Sequence, residues 1–172
     1  MLKIVGCILV ISTSTLIGFI YAQKFKNRTS QLSEFHRAIY QLHNEITYTH
    51  TALPEAFHNI SCKSKEPICG IFKEISERLY LGEANTVFDA FKEVIYSYKT
   101  TLCLLEEDYN ILLSYARTLG ESDLEGEKKM CLLTIENIKT QLNSASKIMN
   151  NNIKMYRALG FTLGVTVVIM FI

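Results

Sequence analysis

The two ends of this chain constrain it most, because each is an apolar run without a single charged side chain. Residues 4–22 form an uncharged run of 19, and residues 158–172 form a second of 15. At about 1.5 Å of rise per residue the first reaches roughly 28 Å as a helix, close to the hydrocarbon thickness of a bilayer. A cleavable signal peptide is the competing reading of the first run, but such peptides carry their positive charge ahead of the apolar stretch. Here Lys3 precedes while Lys24, Lys26 and Arg28 follow. The second run covers only about 22 Å on the same rise. Starting it near Met155, with Lys154 and Arg157 snorkelling to the headgroups and Tyr156 at the interface, brings it close to spanning length.

Both runs carry their basic flank on the side facing the middle of the chain, so the positive-inside bias acts twice in the same sense. The expectation is two spans, a cytoplasmic middle and both termini outside. The boundaries follow as an anchor over residues 1–23, a helical domain over 24–154 and a second span over 155–172. Ser14 with Gly18, and Gly160 with Gly164, are small-residue pairs four apart, which would let the two spans pack closely.

Every charged side chain except Lys3 lies between the two runs, where 17 basic and 17 acidic residues cancel. No basic stripe exists to grip nucleic acid, and no acidic block suggests a solvating tail. The five cysteines show neither metal-site nor disulfide-framework spacing, and their odd number and dispersal suit reduced thiols in the cytosol. Eight glycines and two prolines are too few for a linker-rich chain.

The middle reads as helix throughout. Leu32, Phe35, Ile39, Leu42 and Ile46 step by three and four along one stripe. Pro54 belongs in the first turn of a short second helix that turns Leu53, Ala56, Phe57 and Ile60 inward. Pro67 starts a third, carrying Ile68, Ile71, Phe72, Ile75 and Leu79, and Gly82 is placed to end it. Asn85 or Thr86 caps a fourth, whose inward stripe is Val87, Phe88, Phe91, Val94, Ile95 and Tyr98. A fifth, over about residues 104–119, opens with Glu106, Glu107 and Asp108 at the positive end of its dipole and buries Ile111, Leu112, Tyr115 and Leu119. Gly120 then ends that helix after Leu119, and Ser122 with Glu125 makes a capping box that restarts the chain at Asp123 as an antiparallel partner. The last helix buries Cys131, Ile135, Ile138, Leu142, Ala145 and Met149 and meets no breaker before the second apolar run. The predicted fold is all-α: a six-helix antiparallel bundle between an N-terminal and a C-terminal transmembrane helix, the last bundle helix continuous with the second span.

The chemical motifs weigh against a catalytic role. His36, His43 and His50 recur every seven residues, two turns and about 10 Å apart on a helix, too far to share one metal ion. Cys62 and Cys69 with His58 lack a fourth ligand at a sensible spacing. Glu106, Glu107 and Asp108 have an ordinary explanation in helix-end electrostatics. No phosphate loop, nucleophile elbow or nucleophile paired with an evident base occurs. No catalytic residue, metal, cofactor or small-molecule substrate is expected.

Four blocks resemble a known family. These are Leu16, Ile17, Gly18 and Phe19 in the anchor; residues 42–45 followed by Leu53, Pro54, Glu55 and Ala56; Thr118, Leu119, Gly120, Glu121, Ser122 and Asp123; and Lys154, Met155, Tyr156, Arg157, Ala158, Leu159 and Gly160. Across essentially its whole length the chain resembles stage III sporulation protein AB of endospore-forming bacteria. The resemblance implies a part in the channel complex joining mother cell and forespore during engulfment, and so a location in the mother-cell membrane around the forespore. That family in turn is similar to the cytoplasmic domain of the inner-membrane platform proteins of type II secretion and type IV pilus machines, a six-helix bundle working beside a hexameric ATPase. The partners it implies are a secretion-type ATPase and other membrane proteins of the channel. Because full platform proteins carry two such domains, this one-domain chain is expected to form a homo-oligomer or to pair with another membrane subunit. A signalling or adaptor protein of sporulation is the alternative, although only three residues precede the first run and none follow the second.

Overall fold

The computed structural model describes residues 2–119 and 124–171, and every regular element among them is an α-helix. In chain order these are α1 (Leu2–Thr47), α2 (Leu53–Lys63), α3 (Ile68–Leu81), α4 (Val87–Ser97), α5 (Glu106–Thr118) and α6 (Leu124–Phe171). The all-α class with six helices stands. One difference lies in α1, which joins the first apolar run to the first helix of the middle region, expected as separate elements. Residues 23–30 contain neither proline nor glycine, so nothing interrupts the backbone ladder there. Likewise α6 runs unbroken through the start of the second apolar run.

The helix ends follow local chemistry. Pro54 sits in the first turn of α2, where its missing N–H has no intrahelical partner to lose. Gly82 ends α3 in the left-handed region at φ 66°, and its N–H and that of Glu83 close back on the carbonyls of Leu79 and Arg78. Thr86 caps α4 by accepting the Asp89 N–H at 3.0 Å while donating to the Asp89 carboxylate at 2.8 Å. At α5 the cap comes from inside the helix: Asp108 reaches back to accept the Leu105 N–H at 2.8 Å. His50 takes φ 52° just beyond α1, and the Thr51 N–H returns to the Glu45 carbonyl at 3.1 Å. His50 is therefore off the helix that carries His36 and His43, which corrects the expectation of three histidines on one helix.

Two compact units are distinguished, one spanning Ser30–Asn143 and the other made of Met1–Thr29 with Ser144–Ile172. In the first, four fully buried phenylalanines meet. Phe72 of α3 stacks on Phe57 of α2 (centroids 5.8 Å, planes 19° apart) and meets Phe35 of α1 and Phe91 of α4 edge-on at 6.2 and 6.5 Å. Around them lie Leu32, Ile39, Leu42, Ile60, Ile71, Ile75, Val94 and Ile95, all buried as their spacing predicts. Tyr109, Leu112 and Tyr115 of α5 and Cys131, Thr134 and Ile138 of α6 extend the same interior. Phe88, expected on the inward stripe of α4, is only half-buried.

Polar side chains of α1 tie down two connectors. The buried Gln31 amide accepts the Cys103 N–H at 2.7 Å and donates to the Thr101 carbonyl at 3.4 Å, holding the extended segment that leads into α5. One turn further on, Glu34 accepts the Lys65 N–H at 2.8 Å, and Arg37 pairs with Glu34 while donating to the Lys63 carbonyl at 2.5 Å. These bonds satisfy the end of α2 and the turn into α3. Burial alone raises the Glu34 carboxyl, but the Arg37 guanidinium and the Lys65 N–H outweigh it and hold the group below its ordinary value of 4.5. Tyr98 approaches α3 so closely that a Cβ at Gly70 would lie 2.8 Å from its hydroxyl.

In the unit formed by the chain ends, Ala22, Arg28 and Ala145 are buried, whereas Leu16, Phe19, Ile20 and Tyr21 are each more than half exposed. Among the described residues no helix is long and apolar enough to cross a membrane. The runs 4–22 and 158–172 fall mostly on positions whose side chains lie outside the described residues, including Ser14, Gly18, Gly160 and Gly164.

Replacing Phe72 by alanine removes the shared partner of three other rings, and a loss of about 3–5 kcal/mol is expected, read by denaturant unfolding. Glu34→Gln is expected to cost about 1 kcal/mol at neutral pH. Because the native pKa is lowered, the carboxylate's contribution is complete above 4.5 and fades as pH falls through the native value. The stability gap between wild type and Glu34→Gln should therefore close in acid, and a gap that widened would contradict the assignment.

Candidate functional site

The residues singled out for chemistry are dispersed or occupied in holding the fold. Glu106, Glu107 and Asp108 form the first turn of α5, where Glu106 also receives Lys99 at 2.7 Å and Glu107 accepts from Gln141 at 3.2 Å. His58 lies 3.9 Å from the exposed Cys62 thiol one turn along α2, and among the described residues no group of three or more His, Cys, Asp or Glu is placed to hold a metal ion. The Cys131 thiol is buried between the Tyr115 hydroxyl at 3.8 Å and the Ile39 carbonyl at 3.9 Å. Burial pushes its pKa up to about 11, only partly offset by the tyrosine hydrogen bond, so at neutral pH it is a packed thiol rather than a nucleophile. Of the turn motif, Leu119 is buried with extended backbone immediately after α5. Gly120, Ser122 and Asp123, with the side chain of Glu125, lie outside the described residues. The described part of α5 ends at Thr118 and that of α6 starts at Leu124, on either side of the motif.

What the structure adds is a groove. Phe88 on α4, Leu113 on α5 and Met130 on α6 line an open depression of about 590 Å³. Lys92 and Arg117 flank the Phe88 ring, with the ammonium 5.8 Å and the guanidinium 5.0 Å from its centroid. Asn110, Ser114 and Thr118 complete the α5 wall, and among the described residues no carboxylate lines the groove. The helical register explains the arrangement. Phe88 and Lys92 are one turn apart on α4, as are Leu113 and Arg117 on α5, so each helix contributes an apolar group followed by a cation. Phe88 was legible as part of the α4 stripe, but apolar character there is equally compatible with core and with groove, and Leu113 and Met130 lay outside the stripes read from the sequence.

A second aromatic and basic cluster is closed on itself. Tyr96 and Tyr109 stack with centroids 6.2 Å apart, and Lys99 lies 5.6 Å from each ring while bonded to Glu106. Arg78 is similarly engaged by Glu74 and Glu93. By contrast, among the described residues neither Lys92 nor Arg117 has a carboxylate within ion-pair distance. The groove at α4 and α5 is thus an apolar surface bordered by two cations.

Comparison with known proteins accords with this fold and with the four sequence blocks. Stage III sporulation protein AB of Bacillus subtilis (strain 168) is 26% identical over 170 residues, 99% of this chain and 99% of that one. A solved structure of a stage III sporulation protein AB has the same fold, with a TM-score of 0.67 at 24% identity over 72% of this chain and 96% of that chain. The family model for stage III sporulation protein AB matches residues 3–172, through the helical domain and both apolar ends, and the chain belongs to that family.

Proposed function

We propose that the chain is a membrane-anchored platform subunit of the channel between mother cell and forespore, which docks a secretion-type ATPase and catalyses nothing itself. The observation that carries the reading is the cation-flanked groove in a helical domain whose candidate catalytic side chains are engaged in capping, ion pairing or packing. A rigid helical domain with a fixed recognition surface suits a part that positions other proteins. The resemblance to platform proteins of secretion machines supplies the class of partner.

The apolar ends hold the domain to the mother-cell membrane, with the central region in the cytoplasm and both termini outside. Three features support this part of the reading: the length of the first run, the basic flanks that face inward at both ends, and the exposure of Leu16, Phe19 and Ile20. A patch of that kind is stable when lipid covers it. The chain works in a homo-oligomer or beside another membrane protein of the channel.

Topology is read by fusing an enzyme active only outside the cytoplasm to either terminus. Activity from both fusions is expected, and cytoplasmic reporters lighting up at either end would overturn the two-span arrangement. For docking, the purified full chain in detergent should co-elute with a secretion-type ATPase of the same sporulating cell, and that ATPase should lose its membrane position in cells lacking the chain. No association together with normal placement of the ATPase would sink the platform role.

A further inference from the structure

Resting on the docking reading, we propose that the groove between α4 and α5 is the docking point, and that its occupant is an acidic amphipathic helix of the partner ATPase. The apolar part of the site is Phe88, Leu113 and Met130, and Leu133, 49% exposed, lies one turn beyond Met130 on α6. A helix laid into such a floor buries its apolar stripe in the helix-in-groove mode of recognition. Methionine at the floor adapts to the shape of the inserted side chains.

Charge selects the other face of the occupant. Lys92 and Arg117 both lie close to the Phe88 ring but come from different helices, α4 and α5, so a helix inserted beside Phe88 meets a cation from each wall. The guanidinium offers a forked donor set that matches a carboxylate, and it lies against the Phe88 ring, 5.0 Å from the centroid. A basic occupant is repelled, and a neutral one leaves two cations losing water without replacement. The neighbouring Tyr96, Lys99 and Tyr109 cluster lacks this property because Glu106 already neutralises its cation.

The test uses the full chain in zwitterionic lipid nanodiscs, with empty discs as the blank. The probe is a fluorescein-labelled amphipathic peptide with leucines on one face and glutamates on the other, beside versions carrying glutamine or lysine in place of glutamate. Fluorescence anisotropy should show the glutamate peptide bound at least tenfold more tightly than the glutamine peptide, with affinity falling as salt rises. The double variant Lys92→Glu, Arg117→Glu should reverse this order and favour the lysine peptide. Both positions are at the surface, and an unchanged thermal transition shows that the variant is folded. Equal binding of glutamate and glutamine peptides, or binding indifferent to the charge reversal, overturns the proposal. So does loss of self-association in the double variant without peptide binding to wild type, which makes the groove a contact between copies. Charge-dependent binding to phosphatidylglycerol vesicles without peptide binding assigns the groove to lipid and also overturns it. ATPase association that survives the charge reversal sinks this proposal while the platform role stands. Failure of the wild type to bind the ATPase sinks the platform role, and the peptide order still decides the chemistry of the groove.

Discussion

The ring of Phe72 is the point on which the helical domain depends. It touches a phenylalanine from each of three other helices, and all four rings are removed from water. Helices as short as α2 and α4, with 11 residues each, are marginal alone in water, because nucleating a helix costs more than a few turns recover. Packing against a common aromatic centre is what makes them stable. One stacked and two edge-on contacts also restrict relative rotation, since the first sets ring face beside ring face and the other two set ring edges against ring faces. The remaining aliphatic interior fills space around this centre and adds burial without the same directional demand.

Hydrogen bonds specify what burial leaves free. Gln31, Glu34 and Arg37 occupy successive turns on one side of α1, and each binds backbone atoms in a connector or at the helix end beside it, Arg37 also pairing with Glu34. Backbone groups at helix ends need partners wherever water is excluded, and α1 supplies them from its flank. The same helix thus contributes Phe35 to the aromatic centre and a polar ridge to the connectors.

Much of this was legible in the sequence because it is encoded locally. Pro54, Gly82 and Thr86 act through their own backbone or side-chain chemistry within a few residues, and each marks the boundary it was expected to mark. The stripes of α1, α2 and α3 were largely legible as well, since periodicity reports which face is apolar, whereas on α6 Cys131, Ile138 and Ala145 are buried and Ile135, Leu142 and Met149 only half-buried. What was not legible depends on distant residues. Phe88 has the same apolar character as Phe91, yet one lines an open groove and the other is fully buried, a distinction made by where α5 and α6 pass. Tyr109 and Asp108 are buried although their types suggest surface. The Gln31 bonds span 70 and 72 residues of sequence, beyond any local motif, and His50 adopts a left-handed backbone that its residue type does not announce.

The grip of Gln31 on Thr101 and Cys103 has a consequence for how chains of this kind can diverge. One amide side chain offers the extended segment an acceptor and a donor, much as a neighbouring strand would, within a domain built of helices. Adding or removing a residue between Tyr98 and Leu105 shifts those backbone atoms out of register with the amide and moves the start of α5. Among the described residues the mostly exposed stretch after Gly82 has no such side-chain tether from α1. Insertions accumulated over evolutionary time should therefore collect between α3 and α4, while the passage from α4 to α5 keeps its length.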